Sequence, residues 1–278
     1  MDLLTKIGIG TVQFGIDYGI SNQNGKTPKN EVIDIFKAAY GLKINLIDTA
    51  IAYGDAEIVI GNCDTDSFNI VSKFMDSEKY GSVSSQLNES LKNLKASRLH
   101  GYLAHRPMSL IENPKDWEEL IKLKKEGKIE KIGFSLNTTN ELQLLIDKGL
   151  KPDLIQVPYN YFDKRFEKLM IKLKKEGCEV HSRSTFLQGL FFMKPAKLSS
   201  FFNDIKPIIE KLQNDNKYLA GALLKYVLKK DFIDKVIVGV ENSQQLIQNI
   251  SDLKNAEKLE EFNLAIKNEI VTPFLWEK

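Results

Sequence analysis

Cysteine is nearly missing from this chain. Cys63 and Cys178 are the only two among 278 residues, too few for a disulfide framework or a zinc site, and such sparse use fits a reducing setting. A charge excess of one sign is missing as well. Thirty-nine Lys and Arg stand against 37 Asp and Glu, which removes the electrostatic case for nucleic acid as the main partner. No apolar run approaches the roughly 18 residues that a membrane-spanning helix requires. The opening MDLLTKIGIG lacks the basic segment followed by an apolar stretch that marks a secretory signal. Linkers, low-complexity tracts and repeats of fixed period are lacking too. Together these absences predict a soluble, cytoplasmic, single domain over residues 1–278, partnered by a small molecule.

What is present is a steady alternation of short β-rich runs with amphipathic helical stretches. Strands are expected at 6–10, 46–49, 69–73, 101–105, 131–135, 154–157, 179–182 and 236–239. Helices are expected at 30–42, 83–96, 117–125, 141–148, 166–176, 220–228 and 243–250. In the first of these, Val32, Ile33, Phe36, Ala39 and Tyr40 are expected to share the buried face. The lysine-rich ends KLKKEGKIEK and KLKKEG read as solvated last turns stopped at Gly127 and Gly177. Segments such as INLID, KIGFS, DLIQV and KVIVGV are almost continuously apolar, as in strands buried on both faces. Eight of them alternating with helices, in a chain slightly longer than about 250 residues, predict an α/β fold of the (β/α)8 TIM-barrel type. A doubly wound sheet is the competitor, but the GxGxxG that marks its first turn is absent: strand one runs into GIGTVQFG. The interval 185–235, with its apolar FLQGLFF, reads as an excursion over one barrel mouth.

Barrel enzymes carry their chemistry at the C-terminal ends of strands. Here strand two ends in Asp48, strand three in Lys73 and strand four in His105, with Tyr53 in the loop after strand two. Each has an innocent explanation alone, as a cap, a surface lysine, a structural histidine or a packing ring. Together they fall on one rim. An ammonium beside a phenol favours the tyrosinate and lowers a pKa that is ordinarily about 10, and a carboxylate holds that ammonium charged. The set is therefore a tuned proton donor aimed at an oxygen. Carbonyl reduction suits it, with the hydride coming from a cofactor, because no side chain supplies one.

At these residues the sequence resembles the aldo-keto reductase superfamily, from GIGTVQFG at Gly8 to GVENSQQLIQNI ending at Ile250. The carriers are Asp48 and Tyr53 in IDTAIAYGDAEIVIG, Lys73 in VSK and His105 in LAHRP. The resemblance implies a barrel that binds NADPH, with NADH as the alternative, across its C-terminal mouth, and catalysis by Asp48, Tyr53, Lys73 and His105 without a metal. It implies cofactor contacts from Gly10, Thr11 and Asp48, from Ser135 and Gln156, from Arg183 and Ser184 in SRSTFLQG, and from Gly239, Val240, Gln245 and Asn249. In that stretch Gly239 and Val240 are expected to offer N–H groups at a helix start. Three departures stand out: Leu136 lies between Ser135 and Asn137, Arg183 falls where many relatives have an aromatic ring, and GVENSQQLIQN has no Arg or Lys for a 2′-phosphate but carries Glu241. A monomer or weak oligomer is the expectation at family level.

Two other classes compete. A non-catalytic barrel that senses or scaffolds through a nucleotide site would bind cofactor without turnover. A lyase or isomerase would use Lys73 as a Schiff-base amine. For the substrate, aromatic walls are expected from 13–18, 106–113, 186–202 and 272–278, and no strongly basic pocket is visible that would demand a multiply charged compound.

Overall fold

The computed structural model describes residues 3–261 and 265–276. Eight strands close into one parallel barrel in sequence order: β1 (Ile7–Gly10), β2 (Leu46–Asp48), β3 (Asn69–Phe74), β4 (Leu99–Ala104), β5 (Ile129–Ser135), β6 (Leu154–Pro158), β7 (Glu179–Arg183) and β8 (Lys235–Gly239). This is a (β/α)8 barrel, with the principal helices between strands and the βα-loops at the C-terminal mouth. Closure is direct: Gly10 of β1 pairs in register with Asp48 of β2 on one side and Gly239 of β8 on the other.

Local chemistry explains the helix boundaries. Thr138 and Glu141 form a reciprocal capping box at the start of Thr139–Asp147, and Ser82 caps Val83–Leu94, each satisfying N–H groups that a first turn leaves free. Lys115–Lys125 and Glu167–Lys175 stop just ahead of Gly127 and Gly177. Both glycines have positive φ, as helix ends often require. One expectation fails. In Lys29–Gly41 the buried face is Val32, Ile35, Phe36 and Ala39, whereas Ile33 and Tyr40 are 41% and 68% exposed. Positions i, i+3, i+4 and i+7 counted from Val32 select Ile35 rather than Ile33, and Tyr40 lies a further 100° round the helix. Among the described residues no helix is long and apolar enough to cross a membrane.

After β7 the chain does make its excursion. Short 3-10 turns at Leu187–Phe192, Pro195–Lys197 and Ser200–Phe202 lead into helices Lys206–Asp215 and Leu219–Leu228. Leu187, Leu190 and Phe191 bury the apolar run, while Phe192 stays exposed.

Candidate active site

The two-residue period of a strand decides what faces the barrel axis. One inward layer is apolar: Leu46, Val71, Leu103, Leu154 and Ile237 form a separate buried cluster. Two positions further along the same strands and their continuations stand Asp48, Lys73, His105, Gln156 and Gly239. The polar set therefore caps the apolar layer at the mouth. On β7 the same step runs from Glu179 through His181 to Arg183.

Lys73 is fully buried. Its Nζ donates to Asp48 Oδ1 and Oδ2 at 2.9 and 2.8 Å and to the Thr49 carbonyl at 2.8 Å. Gln156 Nε2 also donates to Asp48 Oδ1, at 2.6 Å. Burial works against the charged ammonium, but the Asp48 carboxylate and the Tyr53 oxygen outweigh it, and the Lys73 pKa is raised. The buried pair is charged and self-compensating.

Backbone bonds bring the other two groups to it. Past Asp48 the β2 chain keeps its ladder with β3 through Thr49 N to Val71 O at 2.8 Å and Ile51 N to Lys73 O at 3.1 Å. That loop carries Tyr53, whose ring centroid lies 5.1 Å from Lys73 Nζ. Past β4, His105 N donates to Phe74 O at 2.9 Å, which places its imidazole edge-to-face with Tyr53, centroids 5.5 Å apart. Burial, then the charges of Lys73, Arg183 and Arg106, push the His105 pKa down to about 3. His105 is thus a neutral imidazole near pH 7, and its buried Nδ1 has no partner among the described residues. All four residues singled out in the sequence meet at the barrel mouth.

The residues expected to hold a cofactor divide in two. Gly10, Thr11, Ser135, Gln156, Arg183 and Ser184 surround the tetrad at the ends of β1, β5, β6 and β7. Thr11 is fixed by its own Oγ1 donating to Asp48 O at 2.9 Å. Among the described residues the buried carbonyl oxygens Gln156 Oε1 and Gln13 Oε1 have no donor, and a Cβ on Gly239 would lie 2.8 Å from the latter. These open acceptors, beside the bare strand ends of Gly10 and Gly239, fit a nicotinamide nucleotide, whose carboxamide and hydroxyls are donors.

The second group lies at the outer edge, and one expectation there changes. The last helix begins only at Ser243, three residues beyond Val240, and its first N–H groups are already engaged. Ser243 N donates to Glu31 Oε1 at 2.6 Å and Gln245 N to Asn242 Oδ1 at 2.8 Å. Just ahead, Glu241 N donates to Gln245 Oε1 at 2.7 Å. Two carboxylates, Glu31 and Glu241, occupy this corner, and no Arg or Lys lies between Gly239 and Ile250. Gln245 is exposed and Asn249 buried, one turn apart along the same face of the helix.

Several contributors escape sequence reasoning. Asn160, fully buried, donates to Ser184 O at 3.0 Å and accepts from Phe162 N and Asp163 N. Gln188 Nε2 donates to Tyr18 Oη at 2.8 Å, joining the loops after β1 and β7 over the mouth. The tail expected as a pocket wall is partly accounted for elsewhere: Trp276 packs against Phe202 at 5.3 Å and donates to Ile270 O, while residues 277 and 278 lie outside the described residues.

The model of the aldo/keto reductase family matches residues 6–268. The chain belongs to that family. Among curated relatives it is 29% identical over 208 residues to the glyoxal reductase of Bacillus subtilis, covering 72% of this chain and 70% of that protein. It is 23% identical to the NADH-specific methylglyoxal reductase of Escherichia coli, covering 90% of each. Among solved structures, an aldo-keto reductase of Bacillus halodurans in its holo form superposes with a TM-score of 0.71 at 19% identity, over 98% of this chain and 92% of that one. An aldo/keto reductase of Klebsiella pneumoniae, solved with NADP and acetate, does so with a TM-score of 0.67 at 22% identity, over 92% and 87%. These two share the fold. The family reduces carbonyl groups with nicotinamide nucleotides, and this chain is an oxidoreductase of that kind.

Proposed function

We propose that the chain reduces an aldehyde or ketone to an alcohol, with Tyr53 as general acid. The observation that carries this reading is the buried Lys73–Asp48 pair, whose ammonium stands 5.1 Å from the Tyr53 ring. Tyr53 Oη donates its proton to the carbonyl oxygen as negative charge develops there. Lys73 stabilises the tyrosinate left behind, and Asp48 keeps Lys73 charged and in place. Neutral His105 supplies a hydrogen bond to the same oxygen without adding a second charge. Gln156 and Ser135 would orient the nicotinamide carboxamide, and Gly10, Thr11, Ser184, Gly239, Val240, Gln245 and Asn249 would line the rest of the cofactor path, while the guanidinium of Arg183 is held by Leu136 O, Asn137 Oδ1 and Ser184 Oγ. The bound nucleotide supplies the hydride. On this reading residues 1–278 act as one catalytic domain in the cytoplasm.

The carboxylates of Glu31 and Glu241 favour NADH over NADPH, since a 2′-phosphate there would meet like charge and no guanidinium. The name of the Escherichia coli relative, specific for NADH, is in keeping with this. The test is direct. Purified protein with a panel of aldehydes should oxidise NADH, with a higher kcat/KM than for NADPH, and Tyr53→Phe should suppress turnover while the protein still binds NADH. Tight binding with no turnover over the panel would instead favour a sensor or scaffold.

A further inference from the structure

The chain has 39 basic residues but only four arginines, Arg98, Arg106, Arg165 and Arg183. Arg98 pairs with Glu130 and Arg165 with Asp163. The other two have no carboxylate partner among the described residues, and both flank His105: Arg106 follows it in the chain, and the charges of both act on its imidazole. Arg106 is exposed. Arg183 is different, because it is half-buried and held in place. It points inward by the period of β7. Its Nη2 crosses the end of β6 to donate to Leu136 O at 2.8 Å and Asn137 Oδ1 at 2.6 Å, and its Nη1 donates to Ser184 Oγ at 3.3 Å. Every one of these acceptors is neutral, and a guanidinium has five N–H donors, so part of the fork stays open.

The remaining charges of the pocket do not answer it. Asp48 is committed to Lys73 and Gln156, so Arg183 is an uncompensated cation at the mouth. Its reach across β6 to the end of β5 carries it away from the Gly239–Ser243 corner and toward His105 and Tyr18, the groups around the Tyr53 hydroxyl. A fixed guanidinium with open donors, whose charge acts on His105 together with that of Arg106, is a seat for a carboxylate or a phosphate.

We infer that Arg183 selects the substrate: the carbonyl compound reduced at Tyr53 carries an anionic group, carboxylate or phosphate, which the Arg183 guanidinium receives with Arg106 adding charge at the rim. This rests on the reductase reading above and deepens it by naming the substrate class.

The test compares matched pairs with the coenzyme-loaded enzyme: 4-carboxybenzaldehyde against 4-methylbenzaldehyde, succinic semialdehyde against butanal, and glyceraldehyde 3-phosphate against glyceraldehyde. The first two read carboxylate and the third phosphate. A hydrogen-bonded charge pair predicts that kcat/KM for the anionic member is higher by about 10- to 100-fold in at least one class. In Arg183→Met that ratio should collapse toward one, and in Arg183→Lys, which keeps charge but not the fork, it should fall between. Calorimetric titration with benzoate and with inorganic phosphate gives a readout independent of turnover, and binding should be lost in Arg183→Met. No preference in any pair together with no binding of either anion overturns the inference. So does an Arg183→Met enzyme that loses NADH affinity while keeping the ratio, since the guanidinium then serves the coenzyme. If the neutral aldehydes also go unreduced, the reductase reading fails separately, and anion binding alone decides the role of Arg183.

Discussion

A Cβ on Gly15 would lie 1.6 Å from the carbonyl oxygen of Tyr53 and 2.7 Å from Ala56 N, inside the hydrogen bond that Ala56 N donates to Tyr53 O at 3.1 Å. The short helical turn after β1 thus rests against the backbone of the tyrosine loop. Nothing larger than glycine fits unless that loop moves. Gly15→Ala should displace Tyr53 from Lys73, lowering stability by roughly 1–3 kcal/mol, as overpacking does, and lowering kcat by more than the stability loss explains. Urea denaturation beside steady-state kinetics checks this; a variant with wild-type kcat would show that the loop tolerates the shift.

The Lys73–Asp48 pair makes a second prediction. Each partner compensates a charge that burial penalises, so Lys73→Met strands a buried carboxylate and Asp48→Asn strands a buried ammonium. Breaking such a pair from either side costs about 3–5 kcal/mol, whereas removing both charges costs much less than the sum. The Lys73→Met/Asp48→Asn double variant should therefore be more stable than additivity predicts, with a coupling on the order of 1–3 kcal/mol by double-mutant cycle. Turnover should stay suppressed in all three: Lys73→Met and the double variant lack the ammonium, and Asp48→Asn lacks the carboxylate that keeps it charged and in place beside Tyr53.

The three histidines should titrate apart. Burial and neighbouring cations lower His105 to about 3. Burial lowers His181 despite the opposing pull of the Glu179 carboxylate. His100 is raised, chiefly by its hydrogen bond to Glu179. In NMR titrations the His100 signal should move above pH 6.5, while those of His105 and His181 stay in the neutral form there. The stability sign follows. For His105 and His181 the unfolded chain takes up protons first, so their contribution to stability is complete above about pH 6.5 and shrinks as pH falls from there toward the folded values. His100 acts oppositely, its contribution being present below about pH 6.5 and lost as pH rises through its folded pKa. Chemical denaturation in steps from pH 8 to 4, on wild type and His105→Gln, reads the difference.

How much of this was legible in the sequence varies with the interaction. The barrel follows from counting apolar runs, because strands buried on both faces can be little else. The tetrad was legible because Asp48, Lys73 and His105 close consecutive strands and Tyr53 stands in the loop after the first of them, and the step of two from Leu46 to Asp48, Val71 to Lys73 and Leu103 to His105 keeps those three on the inner face. The same step from Glu179 to Arg183 was equally readable and marks Arg183 as inward-facing. Ile33 and Tyr40 are apolar enough to read as buried, but the 100° step of the helix puts Ile35 on the inner face in place of Ile33 and turns Tyr40 to solvent. The anchoring by Asn160 and the Tyr18–Gln188 link had no sequence signal, since each joins segments brought together only by barrel closure. The engaged N–H groups of the last helix depend on Glu31, more than 200 residues away.

The loop after β7 offers the last prediction. Ser184, Leu187 and Gln188 all have positive φ, at 64°, 46° and 54°, a conformation that costs L-residues roughly 1–2 kcal/mol each. Something must hold them there, and Asn160 is placed to do so through its bond to Ser184 O. Asn160→Ala removes that donor and also takes the side-chain oxygen that accepts from Phe162 N and Asp163 N, leaving Asp163 N its bond to the Asn160 carbonyl, a loss of about 1–3 kcal/mol. The loop should then relax toward ordinary backbone angles, carrying Arg183 and Gln188 with it. Limited proteolysis should cut between Thr185 and Phe192 earlier than in wild type, and NADH affinity should fall. Ser184→Gly, which removes strain at one position without touching Asn160, should instead slow that cleavage in the Asn160→Ala background; if it does not, strain at Ser184 is not what drives the loop open.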